Sequence, residues 1–132
     1  MKTKKKQNIL VVDDEPHIIN LVKLSLSDER FTVEGAYSAK EALTKLGKVT
    51  PDIIILDIMM PGTNGYELCR ELKERTDTSE IPVVILSAKT QINDKIQAVE
   101  AGADDYITKP FDPVDLKKRV ELNTVPKMKG GV

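Results

Sequence analysis

Ile9-Leu10-Val11-Val12 is an apolar run without alternation, the pattern of a strand covered on both faces, and it stops abruptly at the acidic triplet Asp13-Asp14-Glu15. Pro16 suits the first turn of a helix, along one side of which Ile18, Leu21, Val22 and Leu26 recur. Phe31 to Ala36 predicts a second, shorter strand. Ser38-Ala39-Lys40-Glu41 then has capping-box spacing and opens a stripe of Ala39, Ala42, Leu43 and Leu46. Asp52-Ile53-Ile54-Ile55-Leu56 is the clearest buried strand, rich in β-branched residues, and it ends at Asp57 before the turn-forming Pro61-Gly62-Thr63-Asn64-Gly65.

The alternation continues to the end of the chain. Leu68, Cys69 and Leu72 mark a third helix, Pro82 to Leu86 a fourth strand, and Ile92, Ile96 and Val99 a fourth helix closed by Gly102. Tyr106-Ile107-Thr108 forms a short fifth strand. Asp112-Pro113 then sets a capping carboxylate and an N1 proline ahead of a helix bearing Leu116 and Val120. Five β/α units of this length imply a parallel sheet between two helical layers, a doubly wound α/β (βα)5 three-layer sandwich.

Composition narrows the function. The chain has 132 residues, room for one domain and not two, with 40% hydrophobic and 31% charged residues, ordinary globular usage. Lysine plus arginine number 20 against 21 acidic residues, so no basic excess draws the chain to nucleic acid. A single cysteine, Cys69, forms no internal disulfide, and no long apolar stretch follows the lysine-rich start Met1 to Lys6, so the expected location is cytoplasmic, with no membrane partner. Residues 1–7 read as a flexible basic arm, 8–123 as the domain, and 124–132 as a flexible tail or linker stub.

In open α/β sheets, ligands sit beyond the carboxyl ends of the strands. The polar residues that gather at those ends are Asp13, Asp14, Asp57, Ser87 and Lys109. Three carboxylates about 4 Å apart would repel by roughly 4 kcal/mol per pair at an effective dielectric near 20, so something positive must share the site. Oxygen ligands without histidine or cysteine favour magnesium over zinc, and Lys109 adds a second positive charge. A carboxylate can attack phosphorus while magnesium, an ammonium group and a hydroxyl neutralise the equatorial oxygens.

With Asp13-Asp14, Asp57 followed by Pro61 and Gly65, Ser87-Ala88 and Lys109-Pro110, the sequence closely resembles the response-regulator receiver family from about Asn8 to Asn123. The resemblance implies a flavodoxin-like sheet of order 2-1-3-4-5 and a two-component signalling role. It makes Asp57 the phosphoacceptor, assisted by Lys109 and Ser87. Asp13, Asp14, Asp57 and the backbone carbonyl of Met59 become magnesium ligands, with Asp14 the direct ligand of the acidic pair. The Lys109-Pro110 bond is expected to be cis. Ser87 and Tyr106 are expected to act as a switch that alters the surface of the fourth helix, fifth strand and fifth helix. Positions two beyond a site residue, here Met59 and Lys89, tune phosphoryl lifetime in the family. Met59 cannot orient a water by hydrogen bonding, so hydrolysis should be slow.

The implied donor is a sensor histidine kinase or a histidine phosphotransfer protein. The output domain or downstream protein is unspecified, and a phosphorylation-dependent dimer stays open. Such a domain is no enzyme, although it takes part in its own phosphorylation and slow autodephosphorylation. Two other readings compete. An aspartyl-nucleophile phosphohydrolase would need a second acid where Asp57-Ile58-Met59 has methionine, and a phosphorylation-independent docking module would not need every site residue to be present. A nucleotide-binding module would show a glycine-rich phosphate loop, which the sequence lacks. His17 and Cys69 read as structural.

Overall fold

The structure, a computed structural model, describes residues 6–88 and 92–124. Lys89, most of the basic arm and nearly all of the tail named above lie outside the described residues. Five parallel strands form the sheet: β1 (Gln7–Val12), β2 (Phe31–Ala36), β3 (Ile53–Asp57), β6 (Val83–Ser87) and β7 (Asp105–Thr108), in the order β2-β1-β3-β6-β7. That is the 2-1-3-4-5 order expected of the five sheet strands. Between β3 and the third helix the chain also makes a small antiparallel pair, β4 (Met59–Met60) and β5 (Thr63–Asn64), where the sequence predicted only a turn over Pro61-Gly62-Thr63-Asn64-Gly65. Gly62 takes φ 71° there, the left-handed backbone that glycine adopts without strain.

Alternate residues of the central strands feed two cores. Leu10, Val12, Ile54, Leu56, Val83 and Ile85 face α2 (Ala39–Leu46), α3 (Gly65–Glu74) and α4 (Ile92–Glu100). Ile9, Val11, Ile53, Ile55, Val84 and Leu86 face α1 (Pro16–Ser25) and α5 (Pro113–Thr124). Both faces are covered, which is why the strands read as unbroken apolar runs.

The helix starts follow their sequence signals. Ser38 Oγ accepts from the Glu41 amide at 3.1 Å, and Glu41 reaches back to the Tyr37 amide at 2.7 Å. Asp112 Oδ1 accepts from the Val114 amide at 2.8 Å behind Pro113. Asn64 Oδ1 accepts from the Tyr66 and Glu67 amides at 3.0 and 3.3 Å and so caps α3. A β-carbon on Gly65 would fall onto the Ile58 backbone, so this residue lets α3 start directly against the end of β3.

Two helical faces differ from expectation. In α4 the apolar stripe is on the solvent side: Ile92 is 74% exposed and Val99 73%, Ile96 is also exposed, and the buried residue is Ala98. The buried position is a small residue outside the large apolar stripe, which apolar periodicity does not reveal. In α1 the buried residues are Ile19, Val22 and Leu26, while Leu21 is exposed. The first strand and the last helix each reach one residue beyond the bounds expected from sequence. Gln7 pairs with Phe31 in β1, and α5 runs through Thr124.

Candidate phosphoacceptor site

Strand register assembles the site. Val12 pairs with Leu56, which sets Asp13 level with Asp57 at the ends of β1 and β3. Asp57 pairs with Leu86, so Ser87 lies one step further along β6, and Ser87 pairs with Thr108, so Lys109 lies one step beyond β7. The Lys109 amide donates to the Ser87 carbonyl at 2.7 Å, and the Lys109–Pro110 peptide bond is cis. Four strand ends thus deliver the residues singled out from sequence to one place.

Asp13 and Asp57 are 0% and 3% exposed, and Asp14 is half-buried. One carboxylate oxygen from each of the three lies within 4.8 Å of the others. The Lys109 ammonium is 3.0 Å from Asp13 Oδ2, 3.5 Å from Glu15 Oε1 and 3.6 Å from Asp57 Oδ2. Despite the 3.0 Å approach, Asp13 Oδ2 receives no directed hydrogen bond. The Lys109 ammonium is its charge partner, and each favours the charged form of the other. Asp13 Oδ1 accepts from the Glu15 amide at 2.9 Å, and Asp57 Oδ1 from the Met59 amide at 3.0 Å.

The charges respond to this crowding. Burial pushes the Asp13 carboxyl above the ordinary carboxylate range and Asp57 reinforces it, against the Glu15 amide and Lys109, which pull it down. Burial by itself would lower Lys109, but Asp13, Asp57 and Glu15 more than offset it and hold the ammonium above its usual value. An all-oxygen donor set with a buried carboxylate oxygen lacking a hydrogen-bond donor fits a small hard divalent cation. The Met59 side chain is 55% exposed, and its backbone amide is engaged by Asp57.

Beside the cluster stand two tyrosines. Tyr106, half-buried in β7, packs with Tyr66 against the core under α4, and the Tyr66 hydroxyl donates to the Asp94 carbonyl of α4 at 3.1 Å. Burial pushes the Tyr66 hydroxyl up to about 12 and raises that of Tyr106, so both carry their protons at neutral pH.

Two residues here escaped the sequence reading. Glu15 was visible as the third acid at the end of β1, yet its approach to Lys109 depends on the fold. Tyr66 gave no signal, because its partner Asp94 is 28 positions away. His17 is exposed beside Glu15, at 3.8 Å, and Cys69 is buried with its thiol toward the Ala101 carbonyl at 3.6 Å. Neither joins the cluster.

Comparisons with known proteins agree with this geometry. The chain is 47% identical over 113 residues to regulatory protein VanR of Enterococcus faecium, a match that takes in 86% of this chain and 48% of the relative, so the chain spans about half the length of that relative. Among solved structures it is similar to chemotaxis protein CheY4 of Vibrio cholerae, with TM-score 0.83 and 30% identity over 89% of this chain and 98% of the other. It is also similar to the signal receiver domain of a signal transduction histidine kinase from Syntrophus aciditrophicus, with TM-score 0.83 and 34% identity over 96% and 97% of the two chains. Residues 9–121 match the family model for the response regulator receiver domain. Receiver domains bind magnesium at such an acidic pocket, and by sequence, sheet order and clustered carboxylates this chain belongs to the response regulator receiver domain family of two-component signalling.

Proposed function

We propose that this chain takes a phosphoryl group onto Asp57 from a phosphohistidine on a sensor histidine kinase or a histidine phosphotransfer protein. The observation that carries the reading is the asymmetric hold on Asp57. Oδ1 is fixed by the Met59 amide at 3.0 Å, while Oδ2 faces the Lys109 ammonium at 3.6 Å, close enough for charge neutralisation but beyond a directed hydrogen bond. A carboxylate held in this way keeps a lone pair for attack on phosphorus. The new O–P bond forms as the P–N bond to the donor imidazole breaks.

Lys109 then follows the charge onto one phosphoryl oxygen, and the Ser87 hydroxyl donates to another. Asp13, Asp14, Asp57 and the Met59 carbonyl would hold magnesium, which when bound supplies positive charge to the carboxylates and the phosphoryl oxygens. Lys109 can move because its present partners share it over 3.0 to 3.6 Å. The domain takes part in its own phosphorylation and in slow hydrolysis, and it turns over no external substrate. Ser87 and Tyr106 carry the change to the surface of α4, β7 and α5, whose partner is an output domain or a downstream protein. In this reading residues 8–123 are the receiver unit, acting in the cytoplasm without contacting nucleic acid. Among the described residues no helix is long and apolar enough to cross a membrane.

The test is incubation with acetyl phosphate and magnesium followed by intact-mass measurement. Wild type should gain one phosphoryl group and Asp57→Asn none. Equal labelling of both would remove Asp57 from the role.

A further inference from the structure

Met59 and Met60 are neighbours in β4 and face opposite ways, as successive strand residues do. Met60 is 6% exposed and belongs to the core that holds Leu68 and Leu72 of α3, whereas Met59 is 55% exposed. Through its backbone Met59 is also part of the acceptor site, because its amide donates to Asp57 Oδ1 at 3.0 Å. A solvent-facing thioether therefore stands two residues from a carboxylate that is itself buried. The other sulfurs among the described residues, Met60 and Cys69, are shielded from solvent.

Exposed methionine sulfur is open to peroxides. The sulfur lone pair takes one oxygen of hydrogen peroxide as the O–O bond breaks, which leaves methionine sulfoxide and water. We propose that Met59 is a redox modification site of the acceptor, and that its sulfoxide shortens the life of a phosphoryl group on Asp57. The inference rests on the proposed acceptance at Asp57 and gives that site a second chemical input, a peroxide.

The direction of the effect follows from hydrogen bonding. A thioether is a weak acceptor, so Met59 offers little hold to a water beside the acyl phosphate. A sulfoxide oxygen accepts strongly and carries no net charge into the carboxylate cluster. It can take one proton of a water and leave the water oxygen lone pair free to attack phosphorus. The O–P bond to Asp57 then breaks, releasing inorganic phosphate and the free carboxylate. One such bond is worth about a fivefold faster decay.

The experiment treats the full chain with hydrogen peroxide and follows each methionine by peptide mass spectrometry. In the native protein Met59 should oxidise about tenfold or more faster than Met60, a difference lost in urea. Treated and untreated protein are then phosphorylated with acetyl phosphate and magnesium, the donor is removed, and the acyl phosphate is followed by intact mass. Decay should be about fivefold faster after oxidation. It should return to the untreated rate after methionine sulfoxide reductase, and peroxide should not change the decay of Met59→Leu. Native oxidation of Met60 in step with Met59 overturns the inference. So does unchanged or slower decay after oxidation, or the same acceleration in peroxide-treated Met59→Leu. If untreated wild type forms no acyl phosphate, the reading of Asp57 as acceptor fails, an outcome visible before any peroxide is added, and the inference falls with it.

Discussion

On one side of the sheet α1 and α5 bury Ile19, Val22, Leu26, Leu116 and Val120, while on the other α4 buries Ala98 alone and turns Ile92, Ile96 and Val99 outward. The α1/α5 side is also tied at its rim. Asp28, in the loop before β2, binds Lys117 of α5 at 3.0 Å, and Arg30 reaches Glu121 at 2.7 Å. One polar tie of α4 to the rest of the fold is the Tyr66 hydroxyl on the Asp94 carbonyl. A helix with so little buried apolar surface can shift at small cost, whereas one anchored by several large side chains cannot. The clustered carboxylates thus sit at the ends of a sheet covered on both faces, and α4 is the helix held by the least buried apolar surface.

The strongest way to break this comparison is to truncate one side chain on each side. Leu116→Ala, at a fully buried site on α5, should cost about 2–5 kcal/mol in urea unfolding. Val99→Ala on α4 should stay within about 0.5 kcal/mol of wild type. Similar losses at the two positions would mean that α4 is anchored as firmly as α5. A second test sits where α3 meets the site. Gly65→Ala must push α3 away from Ile58 and should destabilise the fold by about 1–3 kcal/mol, read from the same unfolding midpoint.

A smaller effect separates the two sides by pH. Arg30, then Lys117, hold the Asp28 carboxyl well below the usual carboxylate range. A depressed folded-state value stabilises the fold in full above the ordinary aspartate value of about 3.9, and the contribution is lost as pH falls below it. Asp28→Asn should therefore remove part of the acid sensitivity of thermal unfolding, and 1 M salt should mimic it because the groups are exposed. An unchanged acid limb in the variant would show that the rim pairs do not hold α5. Smallest of all is the thiol under α3. Burial pushes Cys69 up to about 11 from an ordinary 9, so its contribution is whole below pH 9 and fades as pH rises through 11. Alkylation by iodoacetamide at pH 8 should be slow in the native protein and fast in urea, and rapid native labelling would show that this face opens.

Much of this was legible because the controlling physics is local. Ile53 to Leu56 and Val83 to Leu86 are apolar at every position, which only a strand covered on both faces requires, and the residues that end those strands are the chemical ones. Ser38, Asp112 and Pro113 announced their helices by short-range hydrogen bonding and fixed backbone angles. The orientation of α4 was not legible. Its apolar period pointed to Ile92, Ile96 and Val99, but the buried residue is the small Ala98, and an exposed apolar stripe reads the same in sequence as a buried one. The short β4 and β5 pair was hidden because two residues per strand carry no period. Glu15 at Lys109 and Tyr66 at Asp94 were missed because both contacts arise from strand ends and helices that only the folded chain brings together.

The central claim is that one carboxylate of three is the nucleophile. After reaction with acetyl phosphate and magnesium, reduction with borohydride converts an acyl phosphate to the alcohol, and peptide sequencing by mass spectrometry finds where. The account predicts homoserine at position 57 alone, and homoserine at 13 or 14 with position 57 untouched would contradict it.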